Sequence, residues 1–427
     1  MLHLRTRLDE LRLRLWFLPA IFAVAAITLG FVLLEVDHRL AAEPGHLMLL
    51  YGGTADGARS VLSAISQSML TFTALVFTIT MLVLQNASSQ LSPRVMRTFL
   101  RDRANQVVLG LFVATFLYAF IVLRDVRAPV GDDTGFVPGL SIFVAFVLLL
   151  ASVGAFVYYI DHMAHAIRAN SVITSIATET EQALDRLFPD PVESAQIVTD
   201  RGRLPDRGGV TLAAPRAGVL VAVDEDRLLG LTSPERGLEL NPAVGEFVTN
   251  GSALAVLWGE WDRPSRDQAQ QAIVIDDERT LEQDAPFGFR QLVDIAVRAL
   301  SPGINDPTTA VQALQRLHDL LRRLVEREIP SPERRDAAGR LRLVLPRTGW
   351  NGYVELAIDE IRLAGAAQIQ VTRYLGSMLD DLLSVAPADR QPVLRRELAR
   401  LAAGIDRSFP DGADATLAAR SSVRLER

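Results

Sequence analysis

The sequence predicts an α+β membrane protein: four transmembrane helices, then a cytosolic region with a small β-sandwich or half-barrel and a helical subdomain. Three observations predict it. Four apolar runs fall in the first 160 residues, each near the ~20 residues that cross a hydrocarbon core of about 30 Å. Near residue 196 the text changes to short β-rich runs separated by Gly, Pro and Asp. Beyond residue 281 apolar positions recur at helical spacing, interrupted by Pro and Gly. The expected division is a transmembrane domain over 1–160, with spans at about 16–36, 61–84, 107–123 and 136–160. An amphipathic connecting helix covers 161–190, a small β-rich domain 191–280, a helical subdomain 281–405 and a flexible tail 406–427.

Composition narrows the chemistry. The chain has 427 residues, 49% of them hydrophobic, and a mean hydropathy of +0.21, high for a soluble protein. There is no Cys, which excludes disulfides, thiolate metal sites and cysteine catalysis. There is no Lys either, so all 44 basic residues are Arg. That removes Schiff-base chemistry, the P-loop lysine and any lysine-borne biotin or lipoate. A net charge of −6 argues against nucleic acid as a partner. The chain holds no Gly-x-Ser-x-Gly, Rossmann or Walker A motif, so no enzyme activity, cofactor or metal is expected.

The first span follows a short segment containing Arg5, Arg7, Arg12 and Arg14, and its apolar run is too long for a signal-peptide core. The second span has two walls. Ser60, Ser63, Gln67, Thr71, Ala74, Thr78, Met81 and Gln85 share one side; Leu62, Ile65, Met69, Phe72, Val76, Ile79 and Val83 share the other. Two readings of Ser60, Ser63, Gln67, Thr71, Thr78 and Gln85 stand: a pore wall, or ordinary helix packing. The hydroxyls can bond their own helix's carbonyls, so Gln67, a mid-helix amide, carries more weight. Gly110 and Ala114 in the third span, and Ala151 and Ala155 in the fourth, allow close helix approach.

Arg94, Arg97, Arg101 and Arg103 follow the second span, and the other short loops carry fewer Arg. The positive-inside rule then puts both termini in the cytosol. These four arginines are also candidate contacts for anionic lipid headgroups, at about 1 kcal/mol each. Asp161, His162 and His165 mark the exit of the fourth span and are read as interfacial polar residues.

In the β-rich part, Ala214-Pro215-Arg216-Ala217-Gly218-Val219 with Gly245-Glu246-Phe247-Val248 resembles the half-barrel of biotinyl and lipoyl modules. Without a lysine such a module is architectural, and another small β-domain fits the same text. The segment 287–310 then reads as helix, sharp turn, helix. Ser301-Pro302-Gly303 stops the first helix, Asp306 is an N-cap and Pro307 suits the first helical position. Arg290, Asp294 and Arg298 share a helix face and, with Asn305 and Asp306, form a candidate structural joint. Anion binding at that helix start is disfavoured because Asp306 occupies it. Further helices are expected over 352–385 and 390–403.

The second and third spans with their Arg-rich loop, the Phe287-Gly288-Phe289-Arg290-Gln291-Leu292-Val293-Asp294 helix and the turn running from Ser301 to Ala310 together resemble a bacterial family of predicted membrane proteins, domain of unknown function 2254. The resemblance covers nearly the whole chain and implies four spans, a cytosolic domain and a bacterial inner (plasma) membrane location. It brings no catalytic residues. The expected function is an oligomeric ion channel or channel-like protein with a cytosolic regulatory domain. The alternative is a membrane-anchored scaffold or sensor for a cytosolic partner or ligand. The expected partners are the lipid bilayer and further copies of the chain, with no nucleic acid.

Overall fold

The computed structural model describes residues 16–41, 53–90, 103–128, 135–166, 169–188, 209–336 and 338–419. They form two compact units, residues 1–168 and 169–427. The first contains four helices long and apolar enough to cross a membrane: α1 (Phe17–Ala41), α2 (Ala55–Gln90), α3 (Arg103–Asp125) and α4 (Gly139–Ala166). All four expected spans are present as helices. α2 and α4 run past the apolar text, because a helix ends where its backbone bonding ends rather than where its hydropathy does.

α3 is the central helix, touching α1, α2 and α4. Its membrane-length window is 56% buried, against 17–28% for the others. Glycines set the α1–α3 distance. A Cβ on Gly110 would stand 3.0 Å from the Phe22 ring, and one on Gly30 would stand 3.1 Å from Ile121. Several polar atoms inside the unit find partners on neighbouring helices, while Ser66 Oγ, Asn105 Oδ1 and Gln106 Oε1 are buried without one among the described residues. Thr80 shares a 2.8 Å hydrogen bond with the Tyr159 hydroxyl, and Thr115 shares one of 3.0 Å with Ser152.

The connection between α1 and α4 is a helix cap supplied from a distance. Asp37, 1% exposed, accepts hydrogen bonds from the Leu140 and Ser141 N–H groups at 3.1 and 2.9 Å and from the Ser141 hydroxyl at 2.6 Å. The first turn of any helix has N–H groups with no partner inside the helix, and a carboxylate there also meets the positive end of the dipole. The Tyr118 hydroxyl of α3 donates to the Ser141 carbonyl at 3.0 Å, tying a third helix to the same turn.

The second unit starts with α5 (Ala169–Leu187). Two sheets follow, with α6 (Glu225–Leu231) and α7 (Arg263–Gln271) between their strands. The strands are β1 (Val210–Ala213), β2 (Gly218–Val223), β3 (Gly237–Leu240), β4 (Phe247–Val248), β5 (Ala253–Trp258), β6 (Ile273–Asp276), β7 (Glu333–Arg335) and β8 (Leu341–Val344). One sheet has the order β1-β5-β3-β8-β7, parallel only at β3–β8; the other is β4-β2-β6, antiparallel throughout. Both contribute to one apolar core that includes Leu220, Leu238, Leu257, Ile275 and Leu343. β7 and β8 come from within the 281–405 stretch read as helical. Their alternation is hidden by Arg342, which is 3% exposed and paired with Asp336.

The helical part comprises α8 (Ala285–Ala299), α9 (Pro307–Leu324), α10 (Trp350–Ala364), α11 (Ile369–Val385), α12 (Gln391–Ser408) and α13 (Gly412–Ala419). The single helix expected over 352–385 is two, divided at Gly365, whose N–H closes α10 on the Ile361 carbonyl. The expected tail from 406 contains α13. It is docked through Thr372 and Arg373, which donate to the carbonyls of Ala418 and Leu417. α5 packs on α8 and α9. Gly288 permits that approach, since a Cβ there would fall 1.8 Å from the Thr180 hydroxyl oxygen.

Two stability outcomes follow. Asp37→Ala strands three donors and is expected to cost about 2–4 kcal/mol, read as a lower unfolding midpoint of the protein in detergent. Gly288→Val overpacks the α5–α8 contact and is expected to cost about 1–3 kcal/mol or more, while Gly303→Ala, which meets nothing within 4 Å, costs less than half as much.

Candidate functional site

The two walls of α2 separate cleanly. Leu62, Ile65, Met69 and Val76 are buried inside the first unit, at most 3% exposed. Ser60, Ser63, Gln67, Thr71, Ala74, Thr78, Met81 and Gln85 are all exposed on the outside of it. The apolar wall packs inward because α3 and α4 present apolar faces to it; Phe72 stacks on Phe156 with centroids 4.7 Å apart. Packing within one subunit therefore does not account for the polar wall. Thr71 and Thr78 donate back to the carbonyls of Gln67 and Ala74, at 3.0 and 2.9 Å, and so satisfy their hydroxyls without a neighbour. The Gln67 amide makes no hydrogen bond with any described residue. Large apolar side chains flank the wall, with Leu70, Leu75, Phe77 and Leu82 between 42% and 61% exposed.

Of the arginines after α2, Arg103 is exposed at the start of α3; Arg94, Arg97 and Arg101 lie outside the described residues.

The structure brings most of the joint residues together within the second unit. Arg290 Nε donates to Asp294 at 2.6 Å, and its two terminal nitrogens grip Glu360 of α10, Nη2 at 2.7 Å from Oε2. The guanidinium beside Glu360 holds that carboxyl below its ordinary range. Arg298 lies one turn beyond on the same helix. Asn305 adopts φ +49°, the left-handed region tolerated by Asn, and its side-chain oxygen accepts from Gln368 at 3.0 Å. Asp306 caps α9, accepting from the Thr309 N–H at 3.0 Å and the Thr309 hydroxyl at 2.6 Å. These bonds pull its carboxyl below the ordinary value. Each polar group has a protein partner, so the arrangement fixes α8, α9 and α10 relative to one another and leaves no vacant donor set.

A cavity that sequence reasoning missed lies where the strand ends meet the helices. It encloses about 790 Å³ counted out to its mouth and is lined by Val223, Leu240, Val244, Leu345, Phe188 and Ile329, among others. Asp284, Glu225, Arg347 and Tyr353 supply its polar groups. Asp284 caps α8 through the Phe287 N–H at 3.2 Å and receives Arg279 at 2.7 and 2.9 Å. Burial pushes the Asp284 carboxyl up, against Arg279. Gly245, at φ +93°, lets the chain pass this pair, for a Cβ there would sit 2.3 Å from Asp284 Oδ2. A signal for Asp284 was present: Asp284-Ala285-Pro286 repeats the Asp-then-Pro text that marked Asp306. Tyr353 and Arg347 gave none, because their convergence depends on tertiary packing.

Four membrane-length helices followed by a mixed α and β unit define an α-helical membrane protein with a folded C-terminal unit. The chain belongs to the family described as "Predicted membrane protein (DUF2254)", whose model matches residues 12–381. It is 33% identical over 434 residues to an uncharacterized protein of Mycobacterium bovis, covering 98% of this chain and 82% of that protein. An uncharacterized protein of Mycobacterium tuberculosis H37Rv matches to the same extent. No solved structure matches.

The Glu360 shift has a readable consequence. Because its folded-state value is depressed, its contribution is fully present above the ordinary carboxylate value of 4.5 and is lost as pH falls through the lowered one. Glu360→Gln is expected to lower the unfolding midpoint near neutrality and to flatten its fall on acidification, checked by thermal unfolding of the full chain from pH 7 to pH 3.

Proposed function

We propose that the protein is a homo-oligomeric, channel-like protein of the bacterial inner membrane, in which the polar wall of α2 faces other copies of the chain around an axis. The observation that carries this reading is the outward placement of Gln67 on a helix whose apolar wall already fills the subunit core. An amide facing hydrocarbon with no partner costs several kcal/mol, whereas one facing a second copy or a hydrated path costs little. Ser60, Ser63, Thr71 and Thr78 extend the same wall and supply hydroxyls to such a path. A subunit of four membrane helices is small for alternating access, which favours a pore shared between copies.

In this reading the arginines after α2 set the orientation: both termini and the second unit are cytosolic, and Arg103, with Arg94, Arg97 and Arg101, meets anionic headgroups. The second unit is then the regulatory part. A sensor or scaffold without conduction is the second reading, favoured by the cavity at Asp284 and Tyr353.

The absence of native Cys makes the test direct. Gln67→Cys and Thr71→Cys are expected to form disulfide-linked dimers in membranes under mild oxidant, while Leu70→Cys and Phe77→Cys, flanking the wall, crosslink less. Gln67→Leu is expected to assemble normally and to alter the ion flux of reconstituted liposomes. Absence of stripe crosslinks removes the oligomeric reading. Crosslinks without any conductance, across voltage and membrane tension, leave the sensor reading in its place.

A further inference from the structure

We propose that the cavity of the second unit is a binding site for a small apolar monocarboxylate, with Arg347 and Tyr353 as the groups that hold its carboxylate. The proposal stands apart from conduction, since every lining residue belongs to the second unit.

Tyr353 and Arg347 both carry unused hydrogen-bonding capacity. Tyr353 is 2% exposed, its ring packs edge-on against Phe289 at 5.1 Å, and its hydroxyl lines the cavity with no hydrogen bond to any described residue. The hydroxyl opens onto the cavity and is free to donate to an acceptor that enters from outside the chain. Burial and the neighbouring Asp284 push the Tyr353 phenol far up, so it keeps its proton and is available to donate. Arg347 donates through Nη2 to Glu225, and its Nε is buried without a partner.

Charge supplies the sign. The carboxylates lining the cavity are both occupied: Asp284 by Arg279, and Glu225 by Arg334 at 2.8 Å as well as by Arg347. Two guanidiniums share the one Glu225 carboxylate, which leaves a single positive charge in excess at that wall. Gln283 offers nothing further, because its amide is closed on the Val223 N–H and carbonyl at 2.9 and 3.2 Å. One excess positive charge with a phenol donor matches a monoanion, and Arg presents the planar fork that carboxylates fit. The remaining wall, Val223, Leu240, Val244, Ile329, Leu345 and Phe188, is apolar and suits a hydrocarbon or aromatic body. A phosphate monoester would bring a second negative charge with no cation to meet it.

The test uses the full chain in lipid nanodiscs and phenylacetate as probe, titrated calorimetrically, with 2-phenylethanol and 2-phenylethylamine as neutral and cationic counterparts. Saturable binding of one phenylacetate per chain is expected, at least tenfold tighter than the alcohol, with no binding of the amine. Tyr353→Phe keeps the ring and is expected to weaken phenylacetate roughly tenfold without changing the alcohol. Ala243→Phe is expected to block the cavity, and Arg347→Gln to abolish the preference for acid over alcohol. Arg322→Gln, on the Asp381 surface pair, is expected to leave binding unchanged. The proposal is overturned if neither phenylacetate nor hexanoate binds saturably at millimolar concentration, the phenol then being satisfied by water. It is equally overturned if binding persists at full strength in both Tyr353→Phe and Ala243→Phe.

Discussion

A polar atom carried into hydrocarbon has no water to fall back on, and the first unit is arranged around that constraint. α4 meets each of its neighbours through a polar pair: Asp37 of α1 with the first turn of α4, Tyr118 and Thr115 of α3 with Ser141 and Ser152, and Thr80 of α2 with Tyr159. α3 occupies the middle because it can be approached from three sides, its glycine face admitting α1 and its hydroxyl admitting α4. Where no neighbour stands, the outward threonines of α2 fold their hydroxyls back onto their own helix. Gln67 cannot do this as cheaply, since its amide has both donor and acceptor sides to satisfy. Gln67 is thus left on the outer wall with an amide that no described residue satisfies.

The second unit solves a different problem, joining two small sheets to a helical layer with arginine as its sole cation besides histidine. Planar guanidiniums bridge elements where a point charge would serve one partner. Arg290 spans α8 and α10, and Arg390 donates to the carbonyls of Leu324, Val325 and Arg327 at the end of α9 while lying over Trp350. Arg342 is buried in a strand and still satisfied by Asp336 and the Ser233 carbonyl. Such residues position backbone ends and helix termini, and at the cavity wall Arg347 keeps a buried Nε with no hydrogen-bond partner among the described residues.

Much of this was readable from residues alone. Hydropathy runs gave the four membrane helices, because length and apolarity are local properties. The division of α2 into two walls followed from helical period, and its apolar wall is the buried one. The Asp306-Pro307 cap was legible because capping chemistry involves neighbours in sequence. Long-range features were not. Asp37 drew no reading from the sequence, because its role depends on Ser141, far along the chain. β7 and β8 escaped because a buried Arg342 disguises the strand period, and the 352–385 segment looked continuous because Gly365 alone is a weak stop. Tyr353 and Arg347 face one cavity only through packing, which no local pattern encodes.

The Asp37 cap also bears on how the protein is made. Its donors lie 103 and 104 residues further along the chain. At about 5–20 residues per second, the carboxylate waits roughly 5–20 s for the helix it will cap. During that interval it lacks the donors that it meets in the folded unit. The α1–α4 contact is therefore completed only after α4 has been made, so one side chain ties an earlier helix to a much later one.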